Sequence, residues 1–488
     1  MIGILNLLTF LRIFLSLFFQ ILLVRNFGAA IETDVYYLAI GVVTFFNGIL
    51  LGFITDFYIP IYNEVKAKEG KRESGRFAGA TFLGTLLLEF LILLFLWFSA
   101  PYLAKIFASG FTEEKIVFSS KVIRIVSIST LFMGINTILT YTLQANFFMF
   151  VTYLTSCFLP IFNITTLLIF SDRFGIEAIA FSIVAGYAFN FFILLVYAQK
   201  ISMDLNNPFR NPWYLSLMKH NLPTRAGGFL YSLKDPITIN VLSHFPTGYL
   251  TLYTYAQRII SILFEITNSP IFNFFYMKAS NLVSSEKFTE LKQRLSSTIG
   301  NNTTLFILVL IPFMVFFEDL FSPLFGTRVS DKQLLIIYRL FLFLIPFYLV
   351  LSFEIPFTHI TYALKGGLKV FQIASVFILL YSALLVSGIK FFQIYILPLS
   401  LFLAQLSNAV TYALYVNKKL HIIDFDLLKK VLKFSIFVFL LIFVNLLFKR
   451  NAVYTAGISG IILFLWVLID KKEISSSFKF ILRKGEVR

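Results

Sequence analysis

Apolar runs of about 20 residues, separated by short polar or charged loops, recur from one end of the chain to the other. A helix of that length crosses the hydrocarbon core of a bilayer. The pattern predicts about 14 such helices on the 20-residue criterion. Six precede a polar connection, at residues 4–24, 35–60, 77–99, 122–143, 148–170 and 177–198. The connection, 199–221, carries Asn206-Asn207-Pro208 and Asn211-Pro212-Trp213 and reads as a surface segment between two halves. Eight follow it, at 222–243, 249–276, 299–317, 334–353, 370–387, 391–416, 431–447 and 454–469, and then a basic tail. Closed barrels also satisfy the backbone in lipid, but their strands are short and alternate. These runs are continuously apolar, so the fold class is an all-α polytopic membrane protein.

Composition agrees. Hydrophobic residues make up 58% of the chain and charged residues 14%, with a mean hydropathy of +0.84. A soluble domain needs far more polar surface. The net charge of +16 suggests nucleic acid at first sight. Its distribution points instead to membrane lipids, because the Lys and Arg collect in alternate loops. The richer set includes Lys66, Lys68, Lys71, Arg72 and Arg76, then Lys287, Lys292 and Arg294, then Lys418, Lys419, Lys429 and Lys430. Both termini are therefore expected in the cytoplasm of a bacterial inner membrane. The single cysteine, Cys157, sits in an apolar run and reads as a small core residue, with no disulfide framework. The first apolar segment lacks a basic leader, so no cleaved signal peptide is expected.

A weak internal repeat is visible. Phe27-Gly28 with Tyr36-Tyr37-Leu38-Ala39 is echoed by Phe245-Pro246 with Tyr253-Thr254-Tyr255-Ala256, and each copy leads to an aromatic span and a basic loop. Both copies start on the same side, as in transporters built from parallel repeats.

Ionisable groups inside a span are costly and normally face a cavity or a partner. The candidates are Arg12, Glu89, Arg225, Lys234, Asp235, Arg258, Glu265, Arg339 and Glu354. Arg339 and Glu354 lie near predicted span ends and are expected at the interface. Glu89 is open between a structural pair and a functional group. Lys234 and Asp235 are placed to neutralise each other, and Pro236 frees a backbone carbonyl, so the seventh helix is expected to bend. Arg258, in the first turns of the eighth span, is the leading candidate for gripping a phosphate through its guanidinium fork. The bland alternative is a salt bridge to Asp235 or Glu265. Glu113-Glu114 reads as a solvated face. No nucleotide-binding loop, dinucleotide fingerprint or metal-spaced histidine pair is present in the sequence. A self-contained ATPase is thereby excluded, no cofactor is expected, and coupling to Na+, H+ or the membrane potential is left as the energy source.

The opening stretch, Arg25-Asn26-Phe27-Gly28-Ala29 followed by Thr33-Asp34-Val35-Tyr36-Tyr37-Leu38-Ala39, resembles the MurJ/MviN lipid II flippase family of the multidrug/oligosaccharidyl-lipid/polysaccharide exporter superfamily. Gly52, Phe57-Tyr58-Ile59-Pro60, Ser109-Gly110-Phe111, Leu222-Pro223 and Tyr255-Ala256-Gln257-Arg258 extend the likeness. The resemblance implies two pseudo-symmetric six-helix lobes around a cationic cavity, plus two C-terminal helices. That gives an N-lobe at 1–200, a cytoplasmic connection at 201–221, a C-lobe at 222–420 and the last helices and tail at 421–488. The implied activity is moving an undecaprenyl-diphosphate-linked saccharide to the outer leaflet by alternating access.

The resemblance also places Arg258 at the family's cavity arginine. Arg12, Arg25, Asp34, Arg225 and Lys234 complete the expected substrate-binding set, with Asp235 a loose candidate for ion coupling. The chain departs from the pattern where the resemblance implies further arginines. Ile13 and Phe19 stand in helix one, Phe46-Asn47 in helix two, and Gln257 replaces an acidic neighbour. Two other readings stay open: a flippase for an O-antigen, capsule or other repeat-unit lipid, and an ion-coupled small-molecule exporter. The expected partners are a polyprenyl-diphosphate-linked saccharide, membrane lipids and enzymes of cell-wall or polysaccharide synthesis, acting on a monomer.

Overall fold

The computed structural model describes residues 2–52, 57–201, 203–219, 222–447 and 457–461. It groups into two compact units. The first contains the residues up to Thr251 with Thr327–Val329, and the second Leu252–Gly326 with the described residues from Ser330 onward.

The first unit opens with α1 (Ile2–Phe27) and α2 (Ile31–Gly52). The short α3 (Tyr58–Lys68) leads into the long α4 (Gly70–Phe107). The predicted fourth span is two helices, α5 (Glu113–Ser127) and α6 (Thr130–Ala145). Thr112 begins α5 by accepting the Lys115 N–H, as an N-cap threonine does. The predicted fifth and sixth spans are α7 (Met149–Thr155) and α8 (Phe158–Ala198). The chain reverses inside α8 at Gly175, whose φ of 58° is one that glycine adopts without a Cβ penalty. After α9 (Pro212–Lys219), the seventh span is broken into α10 (Leu222–Ser232) and α11 (Lys234–Ser243). The break falls where expected. The ring of Pro236 crowds the carbonyl four residues back, at Ser232, so α10 stops there.

α3, α4 and α6 enclose an aromatic core of Tyr58, Tyr62, Phe77, Ile138 and Leu139. Its polar tips are satisfied internally. The Tyr58 and Thr142 hydroxyls are 2.6 Å apart, and the Asn146 amide donates to Tyr62 Oη (2.8 Å) and accepts from Lys66 Nζ (2.8 Å). α10 and α11, expected with the second half, group instead with the first unit and pack against α2, with α11 also on α4.

The second unit holds most of α12 (Tyr249–Ser284), then α13 (Phe288–Val315), α14 (Phe317–Phe325) and α15 (Asp331–Ala363). α15 starts with a reciprocal capping box between Ser330 and Gln333. α16 (Gly367–Phe392), α17 (Ile396–Leu420) and α18 (Phe425–Leu447) follow. Asp424 caps α18 at Leu427 N (2.9 Å) and pairs with Lys292 (3.0 Å). Those two contacts, the backbone N–H first, hold its carboxyl below its ordinary range. α15 is the central helix, packed on α13, α16, α17 and α18. The predicted fourteenth span and the basic tail lie almost wholly outside the described residues.

Among the described residues nine stretches are long and apolar enough to cross a membrane, and two of these, Met149–Ala198 and Gly367–Leu420, each hold two predicted spans. Large apolar side chains point outward, such as Phe98 (72% exposed) and Val386 (79%). In water they would form aggregation-prone patches; in lipid they are the solvated surface.

Gly79 on α4 allows a close approach, since a Cβ there would meet the Asp204 carbonyl oxygen at 2.0 Å, whereas a Cβ on Gly48 of α2 meets nothing within 4 Å. Gly79→Ala is expected to cost about 1–3 kcal/mol by overpacking. Gly48→Ala is expected to gain about 0.5–1 kcal/mol from helix propensity. Thermal melts of the purified protein check the opposite signs.

Candidate functional site

The best-defined polar cluster lies in the first unit, where loops 28–34, 108–115 and 243–251 meet. Asp34, in the first turn of α2, is buried. Its carboxylate accepts from Thr251 Oγ1 (2.7 Å), Gly248 N (2.7 Å), Thr251 N (3.1 Å) and Lys115 Nζ (3.1 Å). The first N–H groups of a helix have no partner inside it, and they attract an anion. Asp34 therefore caps α12 from a different helix. Lys115 is equally buried, reaches Thr247 Oγ1 (3.2 Å) and lies over the Phe111 ring. Gly248 makes the approach possible: its φ is 93°, and a Cβ there would meet the Ala29 carbonyl oxygen at 2.5 Å. Asn240 donates to Ile106 O (2.8 Å), Ser243 Oγ accepts from Gly110 N (3.0 Å), and His244 Nε2 is 3.0 Å from Ser109 Oγ. The cluster is a latch across three loops that the alternating topology places on one side.

Its register matches the repeat. Asp34 and Thr251 are 217 positions apart, the same offset that sets Ala39 against Ala256.

The other predicted site residues are dispersed. Arg25 is exposed in the last turn of α1, away from the latch contacts of Asp34. Arg12 is half-buried on α1, one turn from Leu8, whose carbonyl faces Cys157 Sγ at 3.7 Å. Cys157 is buried, the small core residue expected. Arg225 is buried and donates to Leu217 O (3.0 Å) and Met218 O (3.3 Å), the carbonyls that end α9. It is thus tied to a helix C-terminus, where a cation is favoured, a partner of the kind expected for a charge inside a span. Lys234 pairs with Asp235 at 3.4 Å, as expected, and lies over Tyr231.

In the second unit Arg258 is exposed, and among the described residues of that unit it takes part in no ion pair or side-chain hydrogen bond, so the alternative of a salt bridge to Glu265 is not formed there. Thr254, Arg258, Ser261 and Glu265 follow at helical spacing, half-buried or exposed, while Tyr255, Ala256, Ile259, Ile260 and Leu263 on the other side of α12 are buried. A polar stripe on a membrane helix is expensive against lipid and belongs against a watery path.

Two buried carboxyls complete the inventory. Glu354 is 6% exposed within α15 and accepts from Gln405 Nε2 (3.2 Å) and Thr358 Oγ1. It was expected at the interface because its span was read to end at 353; the helix runs on to Ala363. Glu89 on α4 accepts from Asn47 Nδ2 on α2 (2.9 Å). The helix-two pair therefore packs inward: Asn47 on Glu89, and Phe46 edge-on to Phe95 at 5.2 Å. Lys115 reads from the sequence only as a loop charge on the less basic side. It stands beside Glu113-Glu114, which are exposed as expected, and only tertiary contact reveals it as buried.

Asp34→Ala strands the Lys115 ammonium and uncaps α12, and is expected to cost about 3–5 kcal/mol. Adding Lys115→Met should restore part of that loss, with a coupling of about 1–3 kcal/mol in a double-mutant cycle on thermal melts. Simple additivity would contradict the paired arrangement.

A family model described as Lipid II flippase MurJ matches residues 23–468. A curated relative, the probable lipid II flippase MurJ of Buchnera aphidicola subsp. Schizaphis graminum (strain Sg), is 26% identical over 299 residues. That stretch is 58% of this chain and spans 57% of the relative's length. Among solved structures, lipid II flippase MurJ in an inward closed conformation aligns over 99% of both chains with a TM-score of 0.73 at 19% identity. An inward-facing multidrug resistance MATE family transporter of the MOP superfamily aligns over 83% of this chain and 94% of its own, with a TM-score of 0.69 at 12% identity. At such identities the structures speak for the fold, and the family match runs through both units: the chain belongs to the lipid II flippase MurJ family.

Proposed function

We propose that the protein is a flippase that carries an undecaprenyl-diphosphate-linked saccharide, lipid II, from the inner to the outer leaflet by alternating access. The observation that carries this reading is Arg258, an exposed guanidinium outside any ion pair among the described residues, on the polar stripe of α12 in a chain of this family. A diphosphate needs a cation with several donors, and the guanidinium fork matches phosphate oxygens two at a time. The head group travels along the stripe while the polyprenyl tail stays in the bilayer. No bond is made or broken, so the protein is a transporter and not an enzyme.

The latch supplies the gate. Its loops form the outer mouth when the Lys- and Arg-rich loops and both termini are placed in the cytoplasm. In this structure the latch is closed, with Asp34, Lys115 and the start of α12 joined within the first unit. Opening it separates a buried ion pair, so the closed state is favoured until bound substrate or a coupling ion changes the balance. The setting is the bacterial inner membrane. The enzymes that make and consume the lipid-linked saccharide are the functional partners, and a single copy holds the whole stripe.

A flippase for another repeat-unit lipid is the second reading. The packing of Phe46 and Asn47 into the helix interface favours it, because it leaves fewer cations for a diphosphate.

Depletion is expected to stall cell-wall precursor on the inner leaflet and lyse the cells; normal growth with loss of a surface polysaccharide would favour the second reading. Arg258→Ala should lower complementation about tenfold or more at unchanged protein level, the scale of a lost charged hydrogen bond of about 1.5–3 kcal/mol. Arg258→Lys should retain an intermediate level. Reporter fusions after Lys71 and Gly110 should read inside and outside respectively, and the reverse would overturn the orientation.

A further inference from the structure

Glu89 lies midway along α4 and is fully buried, and Asn47 on α2 is 1% exposed. The Asn47 amide donates to Glu89 Oε1 at 2.9 Å. The other half of each group is left over. Glu89 Oε2 and Asn47 Oδ1 are both buried without a hydrogen-bond partner, and so is Thr85 Oγ1, one helical turn before Glu89. Gly134 on α6 leaves the space the carboxyl occupies, since a Cβ there would meet Glu89 Oε1 at 2.2 Å.

No cation answers the carboxyl among the described residues. On α5, Lys115 is bound to Asp34 and Arg124 donates to Trp97 O. On α11, Lys234 is bound to Asp235. Of the other helices packed on α4, α6 carries Tyr141, and α9 carries Lys219 and Tyr214, whose ring lies beside Gly84. α2 carries Glu32, Asp34, Tyr36 and Tyr37. On α3, Tyr58 is bonded to Thr142, Tyr62 and Lys66 to Asn146, and Lys68 to Glu64. A buried carboxylate with no countercharge is strongly disfavoured.

A proton resolves the mismatch between the carboxyl and the amide. An ionised carboxylate and an amide oxygen are both acceptors only, so Glu89 Oε2 and Asn47 Oδ1 stand unsatisfied, while the Thr85 hydroxyl can donate or accept. A proton on Oε2 turns that oxygen into a donor, and an amide and a carboxylic acid then satisfy each other through two reciprocal hydrogen bonds. Sodium fits less well, because a bare metal ion needs more oxygen ligands than the three left over.

We propose that Glu89, paired with Asn47, is a proton-carrying site of the first unit and the place where proton movement is coupled to transport. The coupling half of this inference rests on the flippase reading. Glu89 Oε2 takes up one proton from the outer aqueous phase and releases it to the inner one when the α2–α4 seam opens to water, with no other bond changed. The seam and the latch share one helix, α2, which carries both Asn47 and Asp34, so the opening of one is linked to the state of the other.

The test has two readouts. Infrared difference spectra of purified wild type against Glu89→Gln at neutral pH should show a protonated-carboxyl C=O stretch that the variant loses and that shifts in D2O. Glutamine keeps both reciprocal hydrogen bonds, so the variant should fold and melt like wild type. In proteoliposomes, an inward proton gradient should speed translocation of a labelled polyprenyl-diphosphate saccharide by wild type and lose that effect in Glu89→Gln. Absence of the band in wild type overturns the site. A band together with an unchanged gradient response in the variant overturns the coupling. Stimulation by a sodium gradient that disappears in Glu89→Gln, with no protonated band, overturns the choice of ion. The band is read without substrate, so failure of the flippase reading and failure of the proton site are separable.

Discussion

The bilayer offers no water to hydrogen-bond a stray polar group, and the structure is arranged around that constraint. Helices satisfy the backbone within each span, and several of the side chains that remain polar are paired across helices. Asp34 finds the first turn of α12 and the Lys115 ammonium. Arg225 finds the end of α9, and Glu354 finds Gln405 and Thr358. Arg258 and Arg339 stand outside these pairs: each is an exposed charge within a long helix, with no ion pair among the described residues. Of the two, Arg258 lies on the polar stripe of α12 with Thr254, Ser261 and Glu265.

The same constraint explains why the Asp34 latch is so fully bonded. A carboxylate that caps a helix from outside is held by backbone groups fixed in direction, so the contact is either made in full or lost in full. The two echoing stretches of the repeat supply the two sides, with Asp34 in one copy and Thr251 in the other, joined at the repeat's own offset. Glycine 248 then sets the distance, because any side chain there would hold the loops apart. The two echoing stretches thus meet in a physical contact within the first unit.

Much of the fold was legible because membrane helices are written in long, uninterrupted code. The apolar runs placed the spans, Pro236 placed the break in the seventh, and the signature around Thr33-Asp34 placed the family. Less was legible where tertiary contact decides. Lys115 is a loop charge by composition, and it becomes buried only because Asp34 of another helix reaches it. The carbonyl partners of Arg225 lie on α9, an amphipathic turn that hydropathy passes over. Glu354 was misplaced by a helix that continues past Pro356 for another two turns. The grouping of α10 and α11 with the first unit follows from packing on α2, which periodicity alone does not specify.

The most direct measurement is translocation by the purified protein in proteoliposomes, comparing fluorescent lipid II with a polyprenyl-diphosphate carrying an unrelated repeat unit. Wild type is predicted to move lipid II to the far leaflet and the unrelated lipid poorly, and Arg258→Ala to move neither. Equal transport of lipid II by wild type and Arg258→Ala, or a preference for the unrelated lipid, would contradict the assignment.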